Sequence, residues 1–347
     1  MRRSRRTSRI PDSHPGLFDS IETAGEADDF GISDIVADTV QRLREKAAEA
    51  RDLADDDLSL AAADDEAAQR SERLMFVSFG SGSSGNCAFI GTRSGGVLID
   101  AGVDAPTVMR RLQENGIDFD RQVLGIIVTH DHSDHVRAAY PLLRRHLEKR
   151  LWATPKTLTG ILRRHNISRR IKDYHQPIYK EFEFNVGPLA ITPFETSHDG
   201  TDNVGFSIRC AGETFVVATD MGYATERALH YMSRASVLMV ESNYDAEMLA
   251  NGPYPQYLQA RIRGERGHMD NTATAAHLAR IWAPGMHHVM LCHLSHDNNT
   301  PELALSSVAE GLMQAGAILA PAHAVRTPGH VHLYALPRFD ASPLFVF

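Results

Sequence analysis

Short apolar stretches alternate with polar loops from residue 74 to the end of the chain. Nine of them have the length and composition of β-strands, and helical patterns lie between them. This alternation predicts a fold of the α/β or α+β class. Ala211, Gly212 and Glu213 indicate a hairpin turn between two of the strands. The predicted strands span 74–79, 87–90, 97–99, 123–128, 189–194, 204–209, 214–218, 237–240 and 288–292.

Helix starts are marked by prolines and capping residues. Helices are predicted after Pro106 and from Pro141, and another near Asn271. A fourth is predicted at Thr300, because threonine caps helices well and Pro301 suits the first helical position.

The first 72 residues differ in composition from the rest. They hold 10 Lys and Arg against 18 Asp and Glu, whereas residues 73–347 hold 26 of each. Residues 1–29 are poor in apolar side chains, and 52–68 are acidic and rich in alanine, as in disordered segments. Between them, apolar positions recur at helical spacing over 32–50, with Ser33 as N-cap. We therefore predict an acidic, largely disordered extension (1–72) with one amphipathic helix, followed by one folded domain (73–347).

Composition also narrows the cellular setting. No apolar run approaches the roughly 18 residues of a membrane span. The basic start of the chain is not followed by the apolar core of a secretory signal. Cys87, Cys210 and Cys292 have no CxxC spacing and are too few for a disulfide framework. A cytoplasmic protein without membrane contact is expected.

Five predicted strands lead into a histidine or an aspartate. Side chains at the ends of neighbouring strands converge on one rim of a sheet, where active sites are commonly built. A single histidine after a strand is usually only a loop residue, but five such endings favour one shared site. They are Asp100, His130, His198, Asp220 and His293.

The run from His130 to His135 carries the strongest chemical signal. His130 and His132, at positions i and i+2 after a strand, can chelate one cation, and Asp134 and His135 can face a second. Imidazole and carboxylate ligands without thiolate leave Zn²⁺, Mn²⁺ and Fe as alternatives.

This run, followed by His198, Asp220 and His293, resembles the signature of the metallo-β-lactamase superfamily over about residues 74–335. The resemblance implies an αββα four-layer sandwich that holds two divalent metal ions, Zn²⁺ or Mn²⁺, at one edge. It also implies a role for each motif residue. His130, His132 and His198 would bind one metal, Asp134, His135 and His293 the other, Asp220 would bridge them, and Asp100 would orient a ligand histidine.

Further segments narrow the resemblance. Residues 80–87, 241–245, 267–271 and 293–302 resemble motifs of the bacterial YycJ/WalJ (VicX-like) group, although 267–271 differs at two positions. That group implies 5′–3′ exonuclease activity on double-stranded DNA, with a metal-bridging hydroxide that attacks phosphorus. We expect Asp134 to orient this hydroxide and His268 to protonate the leaving group. Candidate contacts to substrate phosphates are Ser84, Asn86, Asn271 and Ser295.

Other interpretations of these residues remain open. The glycine-serine loop at 80–86 is also typical of a plain strand connection. His268 could equally be an ordinary surface histidine, and Ser295 could simply cap the next helix.

The activity has alternatives too. One is a small-molecule phosphodiesterase resembling the PhnP group, which shares the metal residues. A thioester or lactam hydrolase is less favoured. A non-enzymatic sensor is disfavoured by the complete set of metal ligands. The neutral charge of residues 73–347 is unusual for a nuclease, although arginine pairs at 144–145, 163–164 and 169–170 offer a basic patch.

Overall fold

Two mixed β-sheets organise the part of the chain that the computed structural model describes, residues 72–320 and 328–347. The helix predicted within 32–50, and nearly all of the predicted extension, lie outside these residues. The strands are β1 (Met75–Gly80), β2 (Cys87–Gly91), β3 (Gly96–Ile99), β4 (Val123–Ile127), β5 (Arg150–Ala153), β6 (His175–Pro177), β7 (Phe184–Val186), β8 (Leu189–Glu195), β9 (Val204–Cys210), β10 (Glu213–Ala218), β11 (Val237–Glu241), β12 (His288–Cys292), β13 (Ile318–Leu319), β14 (His330–Ala335) and β15 (Phe345–Val346).

The strands that lead into candidate site residues lie mostly near the middle of each sheet. The first sheet has the order β15-β1-β2-β3-β4-β5-β6 and the second β13-β14-β12-β11-β10-β9-β8-β7. β3, β4 and β5 are parallel neighbours, as are β10, β11 and β12. Because the carboxyl ends of parallel neighbours meet at one edge, each sheet presents its strand-end residues along a single rim.

Most of the helices pack on the outer face of one of the two sheets. The helices are α1 (Ala105–Glu114), α2 (Phe119–Gln122), α3 (Ser133–Val136), α4 (Ala139–Leu143), α5 (Pro155–Arg164), a 3₁₀ helix (Arg169–Tyr174), α6 (Glu226–Met232), α7 (Ala246–Asn251), α8 (Gln256–Arg263), α9 (Asn271–Ile281) and α10 (Pro301–Gln314). None of the described helices is both long and apolar enough to cross a membrane.

Alternating side chains along the strands create the layers. In β10, Phe215 and Val217 join a cluster with residues of the first sheet, whereas Val216 and Ala218 face a cluster with α6, α9 and α10. Phe76 of β1 meets Phe215 between the sheets, with ring centroids 4.8 Å apart. A third cluster joins the first sheet to α1 and its neighbouring helices. The result is the helix–sheet–sheet–helix sandwich expected from the sequence.

All nine predicted strands are present within a residue or two of the expected bounds. The hairpin turn is also confirmed, since Glu213 pairs with Cys210. Thr300 caps α10 as predicted, with its Oγ1 accepting from the Leu303 N–H at 3.2 Å. The helix predicted from Pro141 begins two residues earlier and is only five residues long.

Candidate metal centre

The five strand-end residues converge at one edge of the sandwich. Asp100 follows β3, Asp220 follows β10 and His293 follows β12, and these three have left-handed backbone angles, with φ of 58°, 51° and 54°. Such angles are uncommon outside glycine and concentrate at functional sites. They mark a change of chain direction directly after each of these strands.

Close backbone packing fixes the loop that carries the histidine run. The Ala101 N–H donates to the His135 carbonyl at 2.7 Å, and the Asn86 N–H donates to the Asp134 carbonyl at 2.7 Å. Gly102 makes this approach possible, because a Cβ there would lie 1.5 Å from the Asp134 carbonyl oxygen. The loop is therefore held by the chain that follows β3 and by the residue that precedes β2.

Asp220 lies at the centre of the candidate ligands. Its Oδ2 is 3.8 Å from Nε2 of His130, 3.5 Å from that of His135, and 3.7 Å from those of His198 and His293. These distances are too long for hydrogen bonds and leave room for ions between the atoms. A carboxylate in this position can bridge two cations.

The other candidate ligands fall into two groups on either side of Asp220. Asp134 Oδ2 lies 3.5 Å from Nε2 of both His135 and His293. The structure brings together all seven residues that the sequence suggested. The groups with ligand atoms within 4.8 Å of one another include His130–His132–His198 and Asp134–His135–His293.

Three of the histidine rings are oriented through their Nδ1 atoms, which face away from Asp220. His135 Nδ1 lies 2.7 Å from Asp100 Oδ2, and His198 Nδ1 lies 2.9 Å from the carbonyl oxygen of Gly267. His293 Nδ1 lies 3.2 Å from Glu241 Oε1. Such outer partners fix the tautomer of a ligand histidine and leave Nε2 for the metal.

His132 is turned the other way. Its Nδ1 lies 3.2 Å from His198 Nε2, and its Nε2 lies 3.2 Å from Asp199 Oδ1. Asp199 thus lies against His132, but without the hydrogen bond that joins Asp100 to His135. The other oxygen of Asp199 accepts two bonds from Arg261, at 2.9 and 2.6 Å.

Burial and charge suit a group of cation ligands. His130 is 2% exposed, and its Nε2 has no hydrogen-bond partner among the described residues. Burial and the neighbouring His135 hold the pKa of His130 well below its usual range, which keeps the ring neutral as a metal ligand must be. Burial alone would raise the pKa of Asp134, but His135 and His293 hold it at about 2.

His268 and Glu241 form a hydrogen-bonded pair beside the candidate ligands. His268 Nδ1 lies 2.6 Å from Glu241 Oε1, and the His268 side chain is 20% exposed. Burial opposes a charged ring, but the Glu241 carboxylate outweighs it and raises the pKa of His268. Glu241 Oε2 also accepts from the N–H of Met221 at 2.8 Å and from that of Met269 at 3.4 Å.

Several candidate ligands and His268 line an open cavity of about 300 Å³. Candidate ligands and His268 form its floor, and Tyr254, Leu258 and Arg261 form a wall that includes α8. Ser295, one of the proposed phosphate contacts, lines the cavity.

The other proposed phosphate contacts do not line this cavity. The Ser84 carbonyl accepts from Arg137, and its side chain is exposed elsewhere on the loop. The Asn86 amide donates to Asp134 Oδ2 at 3.2 Å and so contacts a candidate ligand. Asn271 is buried, and its Oδ1 accepts from Ser242 Oγ at 2.6 Å. For Asn86 and Asn271 the geometry favours support of the site over substrate contact.

Sequence reasoning gave no role to Glu241, Asp199 and Asn243. Glu241 ends β11, so the strand-end pattern that singled out its neighbours applied to it as well. Asp199 follows His198 directly, but its contact with His132 depends on the fold. Asn243 donates to the His293 carbonyl at 2.7 Å and lies within a segment noted only for its resemblance.

Comparisons with known proteins agree with this fold. The β-lactamase superfamily domain model matches residues 96–293. Exodeoxyribonuclease YycJ of Bacillus anthracis is 31% identical over 249 residues, covering 70% of this chain and 90% of the relative. Exodeoxyribonuclease WalJ of Streptococcus pneumoniae is 29% identical over 239 residues, covering 68% and 87%. The metallo-β-lactamase fold protein YhfI of Bacillus subtilis has a similar structure, with a TM-score of 0.55, 13% identity, and coverage of 79% of this chain and 100% of that one.

Proposed function

The chain belongs to the metallo-β-lactamase superfamily, in the group of the YycJ and WalJ exodeoxyribonucleases, and from this we propose that it hydrolyses phosphodiester bonds of DNA with two divalent metal ions. That it is a metal-dependent hydrolase follows from the family. The finer proposal is supported above all by Asp220, whose Oδ2 lies 3.5–3.8 Å from four imidazole nitrogens.

The residues present fit two ions. His130, His132 and His198 would hold one ion, with the unpartnered Nε2 of His130 as a ligand atom. Asp134, His135 and His293 would hold the other, and Asp220 would contact both. Nitrogen and carboxylate ligands are those that Zn²⁺ and Mn²⁺ accept.

Metal ions at such a site activate water at neutral pH and offset the negative charge that develops on phosphate. The chain supplies the remaining chemistry. Asp134 orients the attacking water as well as holding an ion. A nucleoside leaving group is a poor anion and needs a proton as the bond breaks.

We assign that proton to His268. Glu241 holds Nδ1 of the ring at 2.6 Å and so leaves Nε2 as the donor atom. The ring lines the cavity next to His198 and His293, with centroids 4.9 and 5.1 Å away. Its side chain remains 20% exposed, which gives a substrate access to it. The relatives described above are exodeoxyribonucleases, so DNA is the proposed substrate.

One comparative assay tests the proposal. Metal-loaded protein is incubated with 5′-labelled duplex DNA, single-stranded DNA, RNA and bis-p-nitrophenyl phosphate, and an Asp220→Asn variant serves as the control for metal dependence. We expect mononucleotides to be released from the 5′ end of duplex DNA and Asp220→Asn to be inactive. Turnover of bis-p-nitrophenyl phosphate without any cleavage of DNA would replace the exonuclease proposal by a small-molecule phosphodiesterase.

A further inference from the structure

A second cleft lies beside the cavity of the metal centre and shares Asp199 with it. It has a volume of about 530 Å³. Three of its lining side chains are guanidinium groups and two of its lining residues are glycines. The lining consists of Gly160, Arg163, Arg164, Asp199, Gly200, Thr201 and Arg266.

The charge of this arginine cleft is not neutralised locally. Asp199, its only lining carboxylate, already accepts two bonds from Arg261. Within residues 72–320 and 328–347, no carboxylate lies within salt-bridge distance of Arg163 or Arg266. Both side chains are exposed, and Arg266 has only the His198 carbonyl, at 3.3 Å, as a partner for its Nε. Two guanidinium groups are therefore available to an anion.

Arg164 is held at the cleft by a fully buried carboxylate. Its Nε lies 3.5 Å from Asp131 Oδ2, and Asp131 also accepts from the Thr201 N–H at 2.8 Å and the Thr201 hydroxyl at 2.6 Å. Asp131 lies between His130 and His132 in the chain. The wall of the cleft is thus tied to the loop that carries two candidate metal ligands.

The glycines bring backbone close to this buried carboxylate. A Cβ at Gly160 would lie 2.0 Å from Asp131 Oδ2, and one at Gly200 would lie 2.2 Å from Asn203 Oδ1. Neither position tolerates a side chain, so the side chains that line the cleft are those of the three arginines, Asp199 and Thr201.

We propose that the arginine cleft binds a backbone phosphate through Arg163, Arg164 and Arg266. This phosphate is the neighbour, on the same DNA strand, of the phosphate that is cut. This inference rests on the proposed nuclease function and adds a substrate subsite to it. Guanidinium groups match phosphate oxygens in geometry and donate two hydrogen bonds at once. Asp199 borders both cavities, so a phosphate bound in the cleft would lie next to the metal centre.

The test measures DNA binding by the metal-loaded full chain, with a fluorescent duplex whose linkages are hydrolysis-resistant phosphorothioates. Anisotropy titrations over a range of salt concentrations give the slope of log K against log salt, which is about −0.9 for each phosphate neutralised. We expect Arg163→Ala/Arg164→Ala to weaken binding at low salt and to make the slope shallower by about 0.9. Arg266→Ala, which removes no ion pair and so threatens folding less, should weaken binding in the same direction.

A matched control uses Arg144→Ala/Arg145→Ala, which removes the same charge from exposed arginines that line neither cavity. This control should leave the slope unchanged and should hydrolyse bis-p-nitrophenyl phosphate like the wild type. Suppose that the wild type binds and cleaves DNA but the cleft variants have the same salt slope as the wild type, or that the control variant loses as much slope as the cleft variants. Either result would refute the subsite and leave the nuclease proposal standing. If the wild type hydrolyses the small diester but binds no DNA, the nuclease proposal and the subsite both fail.

Discussion

Replacing His268 by alanine separates proton donation from metal binding. The change removes a ring whose Nδ1 bonds to Glu241 at 2.6 Å and whose side chain is 20% exposed, so water can fill the space. Glu241 keeps the Met221 N–H at 2.8 Å and His293 at 3.2 Å as partners. None of the seven candidate ligands is altered, so metal content should remain that of the wild type.

The expected loss depends on the leaving group. General acid catalysis contributes roughly 10²–10⁴-fold, which corresponds to about 2.7–5.4 kcal/mol of transition-state stabilisation at ~1.36 kcal/mol per tenfold. A nucleoside oxygen needs this proton, so kcat on duplex DNA should fall by about that factor. A p-nitrophenolate ion leaves without a proton, so hydrolysis of bis-p-nitrophenyl phosphate should fall by much less.

The assay compares kcat on both substrates for the wild type, His268→Ala and a control, His296→Ala. His296 is exposed and lines no part of the cavity, so the control should match the wild type. Metal content is measured in parallel by elemental analysis. Cleavage of duplex DNA at the normal rate by His268→Ala, or an equal loss on both substrates, would refute His268 as proton donor.

Further predictions concern the support of the site. Asp100→Asn should lower metal affinity about 10–100-fold in competition with a chelating dye, because the carboxylate orients a candidate ligand; unchanged affinity would contradict this. Gly102→Ala should destabilise the fold by about 1–3 kcal/mol in urea melts and lower metal content, because its Cβ would meet the Asp134 carbonyl at 1.5 Å. Gly285→Ala, with nothing within 4 Å of the new Cβ, should have little effect. Removing residues 1–72 should leave hydrolysis of bis-p-nitrophenyl phosphate within a few-fold of the full chain; loss of activity in a folded, metal-bound protein would show that the segment completes the site.

Features encoded locally were predictable from sequence. An apolar strand followed by histidine or aspartate is visible in the chain, and the parallel order of β10, β11 and β12 makes such endings neighbours. The start of α10 was predictable because Thr300 caps it within three residues of its own position. The family resemblance then supplied the layer order, which neither periodicity nor spacing specified.

Features that depend on contacts between distant segments were not predictable. Glu241 bonds to His268, 27 residues away, and the Arg261–Asp199 pair spans 62 residues. The role of each side chain becomes visible only when the loops are assembled. Asn271 shows the same limit, because the sequence does not reveal that this polar residue is buried and bonds to Ser242 and Asn299.

Several elements carry too weak a pattern for sequence reasoning. β6 has only three residues and includes a proline, and β5 has four. α8 has no buried residue and so no apolar side that faces the core. Weak or absent apolar periodicity leaves no signal for such segments, although α8 contributes Leu258 and Arg261 to the wall of the metal cavity.

The most direct test of a dinuclear centre is anomalous diffraction from crystals of the metal-loaded protein. We predict two peaks about 3.5–4 Å apart, one on each side of Asp220 Oδ2. If the metal is zinc, His130, His132 and His198 should lie about 2.0–2.2 Å from one peak, and His135 and His293 at the same distance from the other. A single peak, or His198 or His293 turned away from both, would contradict the account.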